Sequence, residues 1–132
     1  MIKQHLTWTQ IEDLAIRLAD RLPTSYDVML VITRGGMGPA CIISERLNLR
    51  NIMVAAVMFY TEQEHTLDKP IFLQFPADPL LNGKRVLVVD LDPQAALTVM
   101  CGVSPDADSP NLADCLNGRV EAAAAVVRPR AQ

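Results

Sequence analysis

The sequence contains few of the residues that cross-link small proteins or hold metal ions. Its 132 residues include three cysteines and two histidines. Because Cys41, Cys101 and Cys115 are odd in number and widely spaced, we expect neither a disulfide framework nor a CxxC metal site. We expect buried free thiols instead. His5 and His65 lie far apart in the chain, so surface positions are favoured over ligation, and no Ser-His-Asp or Cys-His arrangement can be assembled.

Long apolar runs and a strong excess of charge are also lacking. The longest apolar run, residues 52–60, has about half of the ~20 residues that a membrane-spanning helix needs. The formal net charge is -3, and this mild acidity argues against nucleic acid as a main partner. The first residues show neither the apolar core nor the cleavage site of a secretory signal. We therefore predict a cytoplasmic protein without a membrane or nucleic-acid partner.

The composition that remains is typical of one globular domain. Half of the residues are apolar and 20% are charged. A chain of this length can bury a core without disulfides or metals. We predict a single α/β domain that spans residues 1–132.

Helical and strand patterns alternate along the chain. Apolar residues recur at three- and four-residue spacing through residues 6–22, which predicts a helix with Thr7 or Thr9 as N-cap, closed by Pro23. The next predicted elements are a strand at 28–33, a glycine-rich turn at 34–38, a helix at 39–48, a strand at 52–60, a polar, mobile surface loop at 61–69, a short strand at 71–73, a connection at 76–83 and a strand at 85–90. This alternation indicates βαβ units and a mainly parallel sheet.

The loop after the first strand, Arg34-Gly35-Gly36, has the composition of an anion-binding turn. Glycines let backbone amides approach a phosphate closely, arginine adds a fork of donors, and a following helix contributes its positive N-terminus. Ligands of open α/β sheets bind beyond the carboxyl ends of the strands, where this loop is expected to lie. The alternative is a tight strand-to-helix turn that needs glycine only for a positive φ.

Two carboxylates follow the strand at 85–90. Asp90 closes an apolar run, which is the pattern of a buried strand that delivers an acid to the edge of a sheet, and Asp92 follows two residues later. Carboxylates at this position can accept ribose hydroxyls or hold Mg²⁺ through water. The alternative is that they cap the next helix.

These motifs together resemble the type I phosphoribosyltransferases, in particular the bacterial purine enzymes that act on xanthine, guanine or hypoxanthine. The matching features are Leu6-Thr7-Trp8 at the start of the first helix, residues 31–36 followed by Pro39, and residues 83–90. The resemblance covers residues 1 to about 90 and implies a three-layer α/β fold of phosphoribosyltransferase type, with a mainly parallel sheet. Residues 91–132 would then form an atypical, helical C-terminal segment.

The resemblance also implies an activity in purine salvage. A phosphoribosyl group would pass from phosphoribosyl pyrophosphate (PRPP) to a purine base, with release of pyrophosphate and with Mg²⁺ as cofactor. The family has a flexible, water-excluding lid where residues 61–69 fall here, and its members commonly pair, which implies a homodimer. The roles that the resemblance assigns are pyrophosphate binding for Arg34, Gly35 and Gly36, catalysis for Asp90, ribose and metal binding for Asp90 and Asp92, and 5′-phosphate binding for Thr98.

The resemblance fails directly after Asp90. The family has a second acid there, followed by a loop of hydroxyl and glycine residues that cradles the 5′-phosphate, whereas this chain has Leu91, then Gln94 and Ala95-Ala96. Two alanines after a proline favour a helix. Loss of the cradle removes several charge-assisted hydrogen bonds, each worth about 1.5 to 3 kcal/mol, which predicts impaired substrate binding.

Residues 83–118 are instead similar to ParA-type partition ATPases around an Asp-Leu-Asp-Pro-Gln motif. Those ATPases need a Walker A loop whose lysine binds the triphosphate, and the nearest approach here ends in Pro39. Three hypotheses follow. The chain is a phosphoribosyltransferase of impaired activity, a non-catalytic fusion with a vestigial site, or a ParA-related nucleotide- or partner-binding module that lacks Walker A.

Overall fold

A computed structural model describes residues 5–60 and 66–91 of the chain. The elements in these ranges are α1 (Trp8–Ala19), β1 (Val28–Thr33), α2 (Met37–Arg46), β2 (Ile52–Tyr60), β3 (Thr66–Gln74), α3 (Asp78–Leu81) and β4 (Val86–Val89). The predicted alternation of helices and strands is confirmed. The predicted helical segment after residue 91, which holds Asp92 and Thr98, lies outside the described residues, as do His65, Cys101 and Cys115.

The four described strands form one mixed sheet in the order β3-β2-β1-β4. β1 lies inside the sheet and pairs in parallel with β2 and with β4, while β3 pairs antiparallel with β2 at one edge. The predicted mainly parallel sheet is therefore confirmed. Because Val31 pairs with Val89, β4 ends beside Val31, and β1 continues from there to Thr33 at the same edge of the sheet. The loops that follow these two strands start side by side.

The core lies between the sheet and the two longer helices. β1 is buried along Val28–Val31, as expected for a strand with neighbours on both sides. Small residues on the helices let them pack closely on this strand. The buried cluster consists of Ala15, Ala19, Met29, Val31, Ala40, Ile43 and Val89. Among the described residues, no helix is long and apolar enough to cross a membrane.

The helices α1 and α2 run in the same direction. At their C-terminal ends, the guanidinium of Arg46 donates to the carboxylate of Asp20 across 2.5 Å. At their N-terminal ends, the indole of Trp8 lies 3.5 Å from the position that a Cβ on Gly38 would take. Because α2 follows β1 directly, both helices begin at the carboxyl edge of the parallel strands.

The boundaries of α1 differ in part from the prediction. Thr7 is the N-cap, and a capping box joins it to Gln10. The helix ends at Ala19 and not at Leu22, since the amides of Arg21 and Leu22 donate three residues back and tighten the chain into a final turn. The helix α2 begins at Met37, earlier than predicted, and ends at Arg46.

The largest disagreement concerns the polar segment that we predicted to be a mobile loop. β3 begins at Thr66, so residues 66–69 belong to a strand and not to the predicted loop, whereas residues 61–65 lie outside the described residues. Pairing with β2 extends this strand from Thr66, opposite Tyr60, to Gln74, opposite Ala56. An edge strand tolerates polar residues and a proline because one of its sides needs no partner.

Two smaller features also differ from what we expected. A four-residue helix, α3, lies within the connection that we predicted at residues 76–83. Cys41 carries a free thiol as predicted, but it is exposed and not buried. Residue 41 belongs to the face of α2 that points away from the core formed by Ala40 and Ile43.

Candidate anion-binding site at the carboxyl edge

The candidate site begins where β1 ends. The chain leaves the sheet at Thr33, passes through a cis peptide bond to Arg34 and enters α2 at Met37. Backbone hydrogen bonds hold this turn: the amide of Gly36 donates to the carbonyl of Ile32 at 3.0 Å, and that of Met37 donates to Arg34 at 3.2 Å. The turn is therefore short and well held, and it presents Arg34 and Gly35 on its exposed side.

Gly36 is required by close packing. A Cβ at this position would lie 2.5 Å from the carbonyl oxygen of Val89 and 2.8 Å from that of Ile32. Its φ is −71°, and Gly83 is the glycine of the described residues that has a positive φ. The alternative in which these glycines serve a positive φ is therefore wrong for Gly36. The residue lets the loop lie directly on the end of β4.

Gly35 makes the second contact between the two loops. A Cβ at Gly35 would lie 3.5 Å from the carbonyl oxygen of Leu91 and 3.6 Å from its Cβ, which is ordinary van der Waals distance. Leu91 and Asp90 are both half-buried. Of the predicted site residues, the structure thus brings Arg34, Gly35 and Gly36 together with the segment that carries Asp90.

The exposed guanidinium of Arg34 is the cation of this site. Within the described part of the chain, no ion pair or side-chain hydrogen bond engages it. An arginine held at the end of a strand can present its fork of donors to a phosphate or diphosphate group. This geometry agrees with the predicted role of Arg34 in binding an anion, which stays a prediction.

The backbone donors of the loop differ from those expected. The amide of Gly36 is already used by Ile32, and that of Ala40 donates to Gly36 at 3.0 Å. Residue 39 is proline, which has no N–H. Among the described backbone hydrogen bonds of this turn, the amide of Gly38 has no acceptor. The sequence analysis did not predict the amide of Gly38 as a hydrogen-bond donor at the N-terminus of α2. The sequence feature that could have indicated it is the proline directly after Gly38.

The described part of the site contains few carboxylates. Residues 89–91 supply one acid, Asp90, followed by the apolar Leu91. The described residues contain no group of three or more histidine, cysteine, aspartate or glutamate side chains that could hold a metal ion. Mg²⁺ at phosphate sites is commonly held by one or two carboxylates together with the phosphates of the substrate, and Asp90 is the carboxylate that residues 89–91 supply at this edge. The predicted ligand Asp92 lies outside the described residues.

Comparisons with known proteins identify the family. The chain is 31% identical over 96 residues to the xanthine-guanine phosphoribosyltransferase of Roseobacter denitrificans, an alignment that covers 65% of this chain and 54% of the relative. It also superposes on the purine phosphoribosyltransferase of Pyrococcus horikoshii with a TM-score of 0.63 and 32% identity, over 77% of this chain and 68% of the other. The chain belongs to the phosphoribosyltransferase family. No family model matches it.

The chain is also similar to two further proteins. The enzyme of Cereibacter sphaeroides, also a xanthine-guanine phosphoribosyltransferase, is 33% identical over 93 residues, with 65% of this chain and 54% of the relative covered. A hypothetical protein from Neisseria gonorrhoeae, solved with bound ppGpp, has a TM-score of 0.60 and 25% identity, over 76% of this chain and 62% of that one.

The chain spans about half the length of the curated relatives that it matches. These matches confirm the resemblance to purine phosphoribosyltransferases and lend no support to the resemblance to ParA-type ATPases.

Proposed function

We propose that this domain binds PRPP at the carboxyl edge of its sheet and transfers the phosphoribosyl group to a purine base, with release of pyrophosphate. The observation that carries the proposal is the contact between the loop at residues 34–36 and the end of β4. This contact joins an exposed guanidinium and a half-buried carboxylate at one edge of the fold shared with purine phosphoribosyltransferases.

Each residue of the site has a role in this proposal. Arg34 and the amide of Gly38 bind the diphosphate, and Arg34 stabilises the charge that develops on it as its bond to ribose C1 breaks. Asp90 accepts hydrogen bonds from ribose hydroxyls and stabilises the positive charge that develops on the ribose ring. A nitrogen of the purine forms the new bond to C1 and loses its proton to solvent. If Mg²⁺ accompanies the diphosphate, Asp90 is the described carboxylate that would hold it through water, and the ion would neutralise charge on the leaving diphosphate.

We expect the sequence after Asp90 to limit this activity. Leu91 stands directly after Asp90, and the residues that would follow in the 5′-phosphate loop lie outside the described part of the chain. Missing hydrogen bonds to the 5′-phosphate cost about 1.5 to 3 kcal/mol each. We therefore expect either an enzyme of impaired activity or, as the alternative, a non-catalytic domain with a vestigial site.

The test is isothermal titration with PRPP, followed by an assay of pyrophosphate release with xanthine, guanine and hypoxanthine. Micromolar binding with base-dependent release supports the enzyme, and binding without release supports the vestigial site. Binding that is absent or only millimolar removes the proposal.

Arg34→Ala should weaken PRPP binding at least about tenfold, since a charge-assisted bidentate contact is lost. Arg50→Ala, an exposed arginine that precedes β2 at the opposite edge, is the matched control.

A second ligand is suggested by the structural neighbour that was solved with ppGpp. That nucleotide carries diphosphate groups, as PRPP does, so the same arginine loop could accept either. A competition titration distinguishes the two. If ppGpp binds and excludes PRPP, the site is shared; if both bind together, ppGpp does not use this loop. The ParA-related alternative requires ATP to raise the melting temperature.

A further inference from the structure

The first turn of α2 has little support from its own side chains. Its N-cap is Gly36, which makes no side-chain cap hydrogen bond. A second glycine, Gly38, lies in the same turn, and glycine leaves the backbone more freedom than any other residue. The amide of Gly38 is the backbone donor that the proposed function assigns to the diphosphate. Contacts from outside α2 therefore matter for the position of this donor.

Trp8 makes such a contact from the neighbouring helix. A Cβ on Gly38 would lie 3.5 Å from Cζ3 and 4.0 Å from Cη2 of the indole, which is ordinary van der Waals distance. The six-membered ring of the indole therefore lies beside the backbone of Gly38. Trp8 as a whole is 78% exposed, so it contributes little to the core. Its contact is made with the candidate site and not with the buried cluster.

The start of α1 is well suited to support its neighbour. The capping box between Thr7 and Gln10 fixes the first turn of α1, which carries Trp8. At the other ends of the two helices, Asp20 and Arg46 form an ion pair. The better-held first turn of α1 is thus joined, through one indole, to the less supported first turn of α2.

From these observations we infer that Trp8 is a positioning residue of the diphosphate subsite. Its indole packs on Gly38 and holds the first turn of α2, so that the amide of Gly38 and the preceding turn with Arg34 face the diphosphate together. The inference rests on the proposed function, since it concerns the same subsite. The sequence resemblance used Trp8 only as a matching residue and assigned it no role.

The first experiment titrates the full chain with inorganic pyrophosphate in buffer that contains Mg²⁺. The sequence has a single tryptophan, so the indole emission reports on residue 8 alone, and pyrophosphate itself absorbs no near-ultraviolet light. We expect the emission to change with the dissociation constant that calorimetry gives. Emission that stays constant while calorimetry shows binding overturns the inference and leaves the proposed function standing. Absence of binding by calorimetry overturns the proposed function itself.

Trp8→Ala tests whether the contact matters for binding. We expect its affinity for pyrophosphate to fall about fivefold or more, because a hydrogen bond to a charged group is loosened. Its urea midpoint should stay close to that of the unmodified chain, since the side chain is mostly exposed. Leu80→Ala truncates another exposed apolar side chain, on α3, and should leave the affinity unchanged. An affinity of Trp8→Ala equal to that of Leu80→Ala overturns the inference.

A second substitution tests whether Trp8 acts through Gly38. Alanine at position 38 restricts the backbone of the first turn and keeps the amide. Added to Trp8→Ala, Gly38→Ala should therefore recover at least about twofold of the lost affinity. A double variant that binds no better than Trp8→Ala means that the indole touches the diphosphate directly, which overturns the positioning role.

Discussion

Gly36 shows how a single residue position can join the fold to the candidate site. The missing side chain allows the loop of Arg34 to lie on the carbonyl oxygen of Val89, which a Cβ would approach to 2.5 Å. Both atoms that oppose the added group belong to backbone, so neither can rotate away. The packing of this glycine and the position of the arginine are therefore consequences of the same contact.

We expect Gly36→Ala to lower the free energy of unfolding by about 1–3 kcal/mol, because the strand end or the loop must move to admit the methyl group. Gly35→Ala is the matched control: its Cβ would have ordinary contacts with Leu91, and its effect should stay within about 0.5 kcal/mol. Urea denaturation of both variants measures the difference. Equal stabilities would show that the loop is free to move away from β4.

At the scale of elements, the N-cap of α1 decides where that helix begins at the carboxyl edge. The hydroxyl of Thr7 accepts from the amide of Gln10 at 3.2 Å, and the side-chain oxygen of Gln10 accepts from the amide of Thr7 at 2.8 Å. We expect Thr7→Ala to lower the free energy of unfolding by about 0.5–2 kcal/mol. Thr9→Ala, one residue into the helix, should change it by less than about 0.5 kcal/mol. A larger loss from Thr9→Ala in urea denaturation would assign the cap to that residue.

The ion pair of Asp20 and Arg46 joins the other ends of α1 and α2. The hydrogen bond and the charge of Asp20 raise the pKa of Arg46 above its usual value. A cation whose pKa is raised by folding stabilises the protein at pH values below its unfolded pKa, and it loses this contribution as the pH rises through its folded pKa. The pKa of a guanidinium lies far above neutral pH, so Arg46 stays charged between pH 5 and about 9. The contribution of Arg46 should therefore depend on salt and not on pH in this range.

We expect Asp20→Asn to lower the urea midpoint slightly in dilute buffer and to leave it unchanged in about 1 M salt, because both side chains are about half exposed and are screened. Asp13→Asn, on the same helix, makes the same change of charge without this ion pair. A loss that persists at high salt would mean that Asp20 stabilises the helix ends by a contact other than charge.

For the whole molecule, the parallel part of the fold could be predicted from the sequence because its strands are largely apolar runs without a charged residue. The strands β1, β2 and β4 follow this pattern, and so the meeting of residues 34–36 with Asp90 could be predicted too. The start of β3 could not. Its first residues are polar, and their pairing with Tyr60 and the rest of β2 depends on contacts between chain segments, which composition does not report.

The site could be predicted in its residues but not in its hydrogen bonds. An Arg-Gly-Gly loop indicates an anion site whichever amides are free, whereas the use of the Gly36 amide by Ile32 depends on the exact path of the turn. That path also decides that Gly36 serves close packing and that Gly38 keeps a donor. The difference is one of local geometry, since the same residues at the same spacing allow both arrangements.

The edge of the described sheet formed by β3 carries exposed apolar side chains. Ile71, Phe72 and Leu73 are exposed there, Leu73 to 66%, and Phe72 packs edge-to-face against Phe75 at 5.4 Å. An edge strand with exposed, large apolar side chains is a surface on which chains associate.

We expect the domain to associate with rising concentration and Leu73→Lys to reduce this association, because a lysine on an edge strand opposes pairing with another edge. Its stability should change by less than about 0.5 kcal/mol, since the side chain is mostly exposed. Thr9→Lys changes the net charge equally at a site on α1 and should not reduce association. Sedimentation velocity over a concentration series measures all three proteins. If both lysine variants reduce association alike, net charge is the cause and the exposed edge of β3 is not.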